Sequence, residues 1–324
     1  VWILEALREA EVSEAVLVVS AGDKHLQHAI GDGSQYGLKV SYVEQAEPRG
    51  LADAVACARQ AVGDRPFVVY LGDDLLPDGI AQFLSAVRER DPDGAVLLKE
   101  VDDPSRFGVV ELRGERVVRL VEKPSEPPSN LAIVGVYAFK PGIFEAIADT
   151  EPSARGEVEI TDAIQLFVER GAEVIGIEEE GPWIDAGEFD SLLVANQLYL
   201  ERAASGPAPD IGRQCVIVGP VAISGNVELV DCEIRGPVAI GGGCCIQGGS
   251  IGPYVSIGDG CTVRDASIRN SILGSGCSVR RLPGGLIDSV LGDGVCVDGG
   301  GVEMPVTLRA ADRSTLTLRP QEEE

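Results

Sequence analysis

The chain has 324 residues, 44% of them hydrophobic but only 5% aromatic, a composition that suits two globular domains with aliphatic cores. Lys+Arg 27 against Asp+Glu 52 leaves a formal net charge of -25, which repels duplex nucleic acid and anionic lipid, so neither is an expected partner. No apolar run reaches the roughly 18 residues that a membrane span needs, and the opening Val1-Trp-Ile-Leu-Glu has no basic n-region, so the expected location is the cytoplasm.

In chain order, residues 15–20 read as a buried strand, 23–30 as a short helix and 38–43 as a second strand. Apolar residues at helical spacing (Leu51, Val55, Ala58, Val62) predict a helix over 50–62. Residues 67–71 are a third strand, followed by a helix over about 78–88. This alternation predicts an α/β domain over 1–205 with an open, largely parallel sheet and helices on both faces. In such sheets ligands bind beyond the carboxyl ends of the strands.

A different pattern begins at Ile211, where aliphatics return every six residues through Ile217, Ile223 and Leu229. The register shifts at Arg235-Gly-Pro and resumes with Ile240, Ile246, Ile251, Ile257 and Val263, loosening through Ile268, Leu273 and Val279. A six-residue period fits neither a helix nor a long strand, but suits a triangular coil with one inward aliphatic per flat side, here over 211–312. Cys215, Cys244, Cys261 and Cys277 each fall four residues after such an aliphatic, as small inward side chains, so the 8 cysteines read as reduced packing residues. Residues 206–210, Gly-Pro-Ala-Pro-Asp, read as a linker, and 322–324 as a solvated acidic tail. The repeats resemble the hexapeptide repeats of left-handed parallel β-helices.

Candidate chemistry lies in the first half. Asp73 in Leu71-Gly-Asp-Asp74 and Asp185 in Trp183-Ile-Asp-Ala-Gly187 are strand-end acids; two carboxylates are the usual minimum for a Mg²⁺ that keeps waters and takes phosphate oxygens. Lys123 in Glu122-Lys-Pro124 is a natural cation for a sugar phosphate, and Glu122 can accept from sugar hydroxyls. Arg155, opening the segment Arg-Gly-Glu-Val-Glu-Ile-Thr-Asp162 that begins a helix, could grip phosphate with its planar fork. Gln45 and Gly50 lie where a strand joins a helix; Gln45 could read a pyrimidine edge, and Gly50 allows close backbone approach to a ligand.

Taken in order, Gln-x-x-Pro-x-Gly-Leu-Ala, Gly-Asp-Asp, Arg106-Phe-Gly108, Glu-Lys-Pro, Gly135-Val-Tyr137, Arg-Gly-Glu-x-Glu-Ile-Thr-Asp and Trp-x-Asp-x-Gly resemble the long-form glucose-1-phosphate thymidylyltransferases. That resemblance implies a Rossmann-like nucleotidyltransferase domain followed by a left-handed β-helix. It implies Mg²⁺ on Asp73 and Asp185, Gln45 and Gly50 at the nucleoside, and Gly108, Glu122, Gly135 and Tyr137 at the glucose. Lys123 and Arg155 would hold the sugar phosphate, with Asp74 and Glu157 lining the same site. The substrates would be dTTP and glucose 1-phosphate, joined with release of pyrophosphate. The exposed flats of the coil favour packing against copies of itself, so a homo-oligomer is expected.

Three departures stand out. Asp74 replaces the usual Asn, Ala186 replaces Thr, and the family's first strand and Gly-rich loop have no counterpart here, so the resemblance implies an N-terminally truncated domain with little or no activity of its own. Alternatives are a UTP- or GTP-dependent relative, an assembly subunit, or an acetyltransferase seated in the repeats. The last needs a base such as His, and the 2 histidines, His25 and His28, lie three apart on a short first-half helix, where solvent-facing positions are expected.

Overall fold

A computed structural model describes residues 2–187, 189–203 and 214–319. The expected linker at 206–210, the first repeat aliphatic Ile211 and the tail at 322–324 lie outside the described residues. The chain divides into two compact units, Val1–Trp183 and Ile184–Glu324.

In the first unit α1 (Trp2–Glu9) precedes β1 (Glu14–Ser20), α2 (His25–Ile30) and β2 (Lys39–Gln45). Strands β1 and β2 form their own parallel ladder, Glu14 opposite Lys39 through Ser20 opposite Gln45. The helix expected over 50–62 is two, α3 (Leu51–Cys57) and α4 (Arg59–Val62), parted at Ala58. Then come β3 (Phe67–Tyr70), β4 (Asp74–Leu75), α5 (Ala81–Arg90), β5 (Gly94–Glu100), β6 (Gly108–Arg113), β7 (Arg116–Glu122) and β8 (Leu131–Phe139). The unit continues with α6 (Ile143–Ala148), α7 (Ile160–Glu169) and β9 (Val174–Glu178). The helix expected from Arg155 therefore starts at Ile160, and Arg155 lies in the loop before it.

The main sheet runs β3-β8-β5-β9-β7-β6. It corrects the expectation of a largely parallel sheet: only β5 and β9 run parallel, and the other pairs are antiparallel. The cause is local. Between β6 and β7 there is only a tight turn with Gly114 at φ 63°, and two strands so joined must run antiparallel.

Helices do cover both faces, and the period-two alternation of β5 divides them. Val96 and Leu98 pack with Val55 of α3, Ile143 and Phe144 of α6, and Ile164 of α7. Ala95 and Leu97 face the other way, onto Phe83 and Leu84 of α5. Leu97 and Leu98 are almost wholly buried; truncating either to Ala would cost about 2–5 kcal/mol. His25 and His28 are exposed on α2, as expected.

The second unit opens with β10 (Ile184–Asp185) and α8 (Phe189–Ala203) and continues as a parallel β-solenoid consistent with a left-handed β-helix. Val216 lies over Glu233 and Glu233 over Ser250, and stacked residues such as Cys215 and Cys232 stand 17 positions apart. The repeat aliphatics Leu229, Ile240, Ile246, Ile251, Ile257, Val263, Ile268, Leu273 and Val279 line one buried column. Cys244, Cys261 and Cys277 are buried with them, their thiols donating to the carbonyls of Gly258, Gly274 and Gly292 on the next coil at 3.0–3.1 Å. All 8 cysteines are unbridged.

Acidic corners tie the coils together. Asp259 accepts from the Gly242 N–H at 2.7 Å, Asp293 from Ser275 at 2.7 Å, and Asp312 from Asp293 at 2.9 Å. Each carboxylate satisfies a backbone donor that the turn of the neighbouring coil leaves open. Helix α8 lies along this solenoid: Asn196 donates to the Tyr254 carbonyl at 3.3 Å, Gln197 to Asn270 at 2.7 Å, and Leu200 is fully buried.

Candidate active site

The candidate residues of the first unit fall in three groups, and only Gly135 and Tyr137 lie in the interior of a strand. Register sets Gly108 of β6 opposite Glu122 of β7. A Cβ at Gly108 would stand 2.9 Å from Thr161 Oγ1 and 3.2 Å from both Glu122 Oε2 and Ile133 Cδ1, so the glycine lets the backbone pack directly against that carboxylate.

Glu122 is held from two sides. Thr161, buried in the first turn of α7, donates to Oε2 at 2.7 Å, and Arg155 Nη2 donates to Oε1 at 3.1 Å. Each carboxylate oxygen has capacity for a further donor, so Glu122 can still accept from a ligand hydroxyl. Arg155 is itself seated on Glu159, to which Nη2 donates at 2.8 Å and Nε at 3.2 Å. The Ser153 hydroxyl donates to the same oxygen at 2.8 Å. Glu159 is buried, and its hydrogen bonds hold the Arg155 guanidinium above its ordinary value.

Glu159 and Thr161 are thus the partners that place Arg155 and Glu122, and the sequence pointed instead to Glu157. The side chain of Glu157 is exposed and makes no hydrogen bond or ion pair among the described residues. The signal available was the i,i+4 spacing of Arg155 and Glu159, which needs no helix because the intervening loop folds back through Ser153 N–H on Glu157 O at 2.8 Å.

Asp162, next along α7, carries no hydrogen bond among the described residues. Burial first, then the Glu159 and Glu122 carboxylates, raises its pKa above the ordinary aspartate value. Lys123 follows β7, exposed, with φ 41°, a left-handed backbone that a side-chain-bearing residue adopts at a cost of about 1–3 kcal/mol. Its ammonium has no hydrogen bond or ion pair among the described residues and stands next in sequence to Glu122.

A second cluster surrounds Asp74. This carboxylate is buried; it accepts from Trp183 Nε1 at 2.5 Å and lies against Gly135, whose φ of 63° marks a bulge in β8. Trp183 makes an edge contact with Phe107, ring centroids 5.1 Å apart, which joins this cluster to the β6 end that bears Gly108. Tyr137 is buried nearby, and burial, with Asp74, Glu122 and Asp73 behind it, pushes its phenol well above the ordinary value. Lys99 anchors the loop that carries Trp183, donating to the carbonyls of Glu179, Glu180 and Gly181 at 3.0, 3.0 and 2.7 Å.

Asp73 is exposed just past β3, with no hydrogen bond or ion pair among the described residues, so both oxygens are available. An exposed, uncommitted carboxylate suits a hard cation that keeps waters and takes phosphate oxygens. Asp185 lies on β10 of the second unit and accepts from the Gly187 N–H at 3.0 Å.

At the third group of residues, Gly50 is required for a different reason than the sequence suggested. Its φ is 110°, and a Cβ there would stand 2.6 Å from the Val158 carbonyl oxygen. The close approach is to the Val158 backbone, which bonds Arg49 O at 2.7 Å and Ala52 N–H at 3.0 Å. This crossing ties the end of β2, with Gln45, to the loop that bears Arg155.

An α/β domain of Rossmann-like type, with carboxylates, Lys123 and Arg155 grouped at its strand ends, is followed by a parallel β-solenoid. Residues 2–202 match the profile of the nucleotidyl transferase family, and the chain belongs to that family. It is 38% identical over 232 residues to the low-salt glycan biosynthesis nucleotidyltransferase Agl11 of Haloferax volcanii, covering 71% of this chain and 63% of the relative. It is 41% identical over 222 residues to a glucose-1-phosphate thymidylyltransferase of Streptomyces antibioticus, covering 68% and 62%. The chain thus spans less than two thirds of the length of either relative. A solved UDP-glucose pyrophosphorylase complexed with UDP-glucose superposes with a TM-score of 0.54 and 26% identity, covering 62% of this chain and 86% of that one. No helix among the described residues is long and apolar enough to cross a membrane.

Proposed function

We propose that the protein is a sugar-1-phosphate nucleotidyltransferase, acting as a glucose-1-phosphate thymidylyltransferase: it joins dTTP to glucose 1-phosphate and releases pyrophosphate. The observation that carries this reading is the network in which Thr161 and Arg155 hold Glu122 against the Gly108 backbone, with Lys123 exposed alongside. Glu122 accepts from glucose hydroxyls, while Lys123 and Arg155 meet the sugar phosphate.

In the reaction a phosphate oxygen of the sugar attacks the α-phosphorus of the nucleotide. The new P–O bond forms as the bond to the bridging oxygen breaks, and pyrophosphate leaves with that electron pair. Two anions must meet, so orientation and charge neutralisation are what the protein supplies. Arg155 reaches phosphate by sharing its fork with Glu159, which keeps the guanidinium in place before substrate arrives. Asp73, whose carboxylate is exposed, would help to hold Mg²⁺, which when bound screens the charge of the triphosphate.

Pyrophosphate release with glucose 1-phosphate and Mg²⁺, compared among dTTP, UTP and GTP, tests this reading. Turnover fastest with dTTP supports it. Preference for UTP moves the protein to the uridylyl class, toward which the likeness to UDP-glucose pyrophosphorylase points. No turnover, and no binding of nucleotide or sugar phosphate, would remove the catalytic reading.

A further inference from the structure

Gln45 is the last residue of β2, at the carboxyl edge of the β1–β2 ladder. Its amide nitrogen Nε2 donates to Asp53 Oδ2 at 2.8 Å and to the Gly50 carbonyl at 3.2 Å. A carboxylate and a carbonyl only accept, so the amide nitrogen must face them, and the orientation of this glutamine is not in question. Both of its N–H donors are engaged. Its carbonyl oxygen Oε1 has no partner among the described residues.

Asp53, in the first turn of α3, is in turn held by Arg49, whose Nη2 lies 2.9 Å from Oδ1. The Asp53 side chain is only 19% exposed, so its carboxylate is well placed to keep Gln45 from turning over. The two residues stand eight apart in sequence, and the Gly50–Val158 crossing fixes the turn between them.

We infer that Asp53 is a positioning residue that locks the Gln45 amide with its oxygen outward, so that the nucleotide subsite accepts a hydrogen bond from a ring N–H of the base. This rests on the nucleotidyl-transfer reading and narrows its substrate. Thymine, uracil and guanine carry such an N–H. Cytosine and adenine present a ring acceptor there, which would face Oε1 with nothing between them to share. An acceptor set against a fixed acceptor leaves both unsatisfied, whereas an amide free to rotate would tolerate either edge.

The test is titration of the chain with dUTP and dCTP, which differ only at the edge in question, for the native protein and for Asp53→Ala and Asp53→Asn. The native protein is expected to prefer dUTP by about 30-fold, the equivalent of about 2 kcal/mol. In Asp53→Ala the ratio is expected to fall below about 5-fold, chiefly through a gain in dCTP binding, which a purely structural role for Asp53 would not produce. Asp53→Asn keeps the side chain's shape if the alanine variant melts, and its ratio should lie between the two. Equal binding of dUTP and dCTP by the native protein, or an unchanged ratio in both variants, would overturn the role of Asp53 and leave the transferase reading standing. Binding of neither nucleotide by a folded native chain would overturn both.

Discussion

A Cβ at position 135 would stand 1.9 Å from Asp74 Oδ2, so Gly135 and the buried Asp74 carboxylate share one space that admits no side chain. This gives Asp74 a task that its place after Asp73 did not reveal. It braces the β8 bulge on one side and the Trp183 indole on the other.

Gly135→Ala meets both the carboxylate and a φ of 63°. The expected loss is about 2–4 kcal/mol of unfolding free energy, measured by urea denaturation. The double variant with Asp74→Ala should recover part of that loss, because the clash is removed while the backbone conformation remains unfavourable. A single variant as stable as the native protein would contradict the packing described.

Lys99→Met keeps the aliphatic stem and deletes the ammonium that gathers three consecutive carbonyls. Hydrogen bonds to a charged donor are worth about 1.5–3 kcal/mol where they are sheltered. The loop at 179–183 is therefore expected to become a site of early proteolysis, with changed Trp183 fluorescence. Unaltered cleavage kinetics would show that the loop is held by other means.

Asp162 supplies a pH dependence with a definite sign. Its pKa in the folded chain is raised, by burial first and then by Glu159 and Glu122. In the window between the unfolded value and the raised one, the folded state holds more protons, so stability falls as pH rises through it. Asp162→Asn removes that penalty. Its stability advantage over the native protein should be small near about pH 4 and larger at about pH 7. A difference that shrinks with rising pH would refute the assignment.

Thiol labelling distinguishes the inward cysteines from the outward one. Cys296 is exposed, whereas Cys232 and Cys244 are buried; burial raises both thiols, Cys232 to about 12. Brief alkylation of the folded protein, read by peptide mass spectrometry, should modify Cys296 well before Cys232 or Cys244, because the thiolate is the reacting species. Equal rates would mean that the solenoid interior is open to solvent.

How much of this was legible in the sequence depended on range. The solenoid was readable because each coil repeats the same local demand: Ile246, Val263 and Val279 solve one packing problem three times, so periodicity exposes it. The helices on both faces followed from the apolar spacing of Val55 and its neighbours. Strand direction did not, since the antiparallel return of β8 between β3 and β5 is a choice among distant partners that no local pattern encodes. The candidate site divides the same way. Glu122, Lys123 and Arg155 were marked by their motifs, and register brought Glu122 to Gly108. Glu159 and Asp53 went unremarked because they act on other side chains, through contacts that exist only after Val158 has crossed Gly50.

The acidic corners of the solenoid bear on how such a chain changes length. Asp259, Asp293 and Asp312 reach back by 17, 18 and 19 residues to serve the coil before them, so the same handshake recurs at three coil junctions. Deleting or duplicating one complete coil rejoins equivalent partners, while losing two or three residues turns the inward aliphatics toward water. Tandem duplication is thus an easy route by which this unit lengthens, counted in whole coils. The α/β unit has no such route, because each of its strands has neighbours that no other strand can replace.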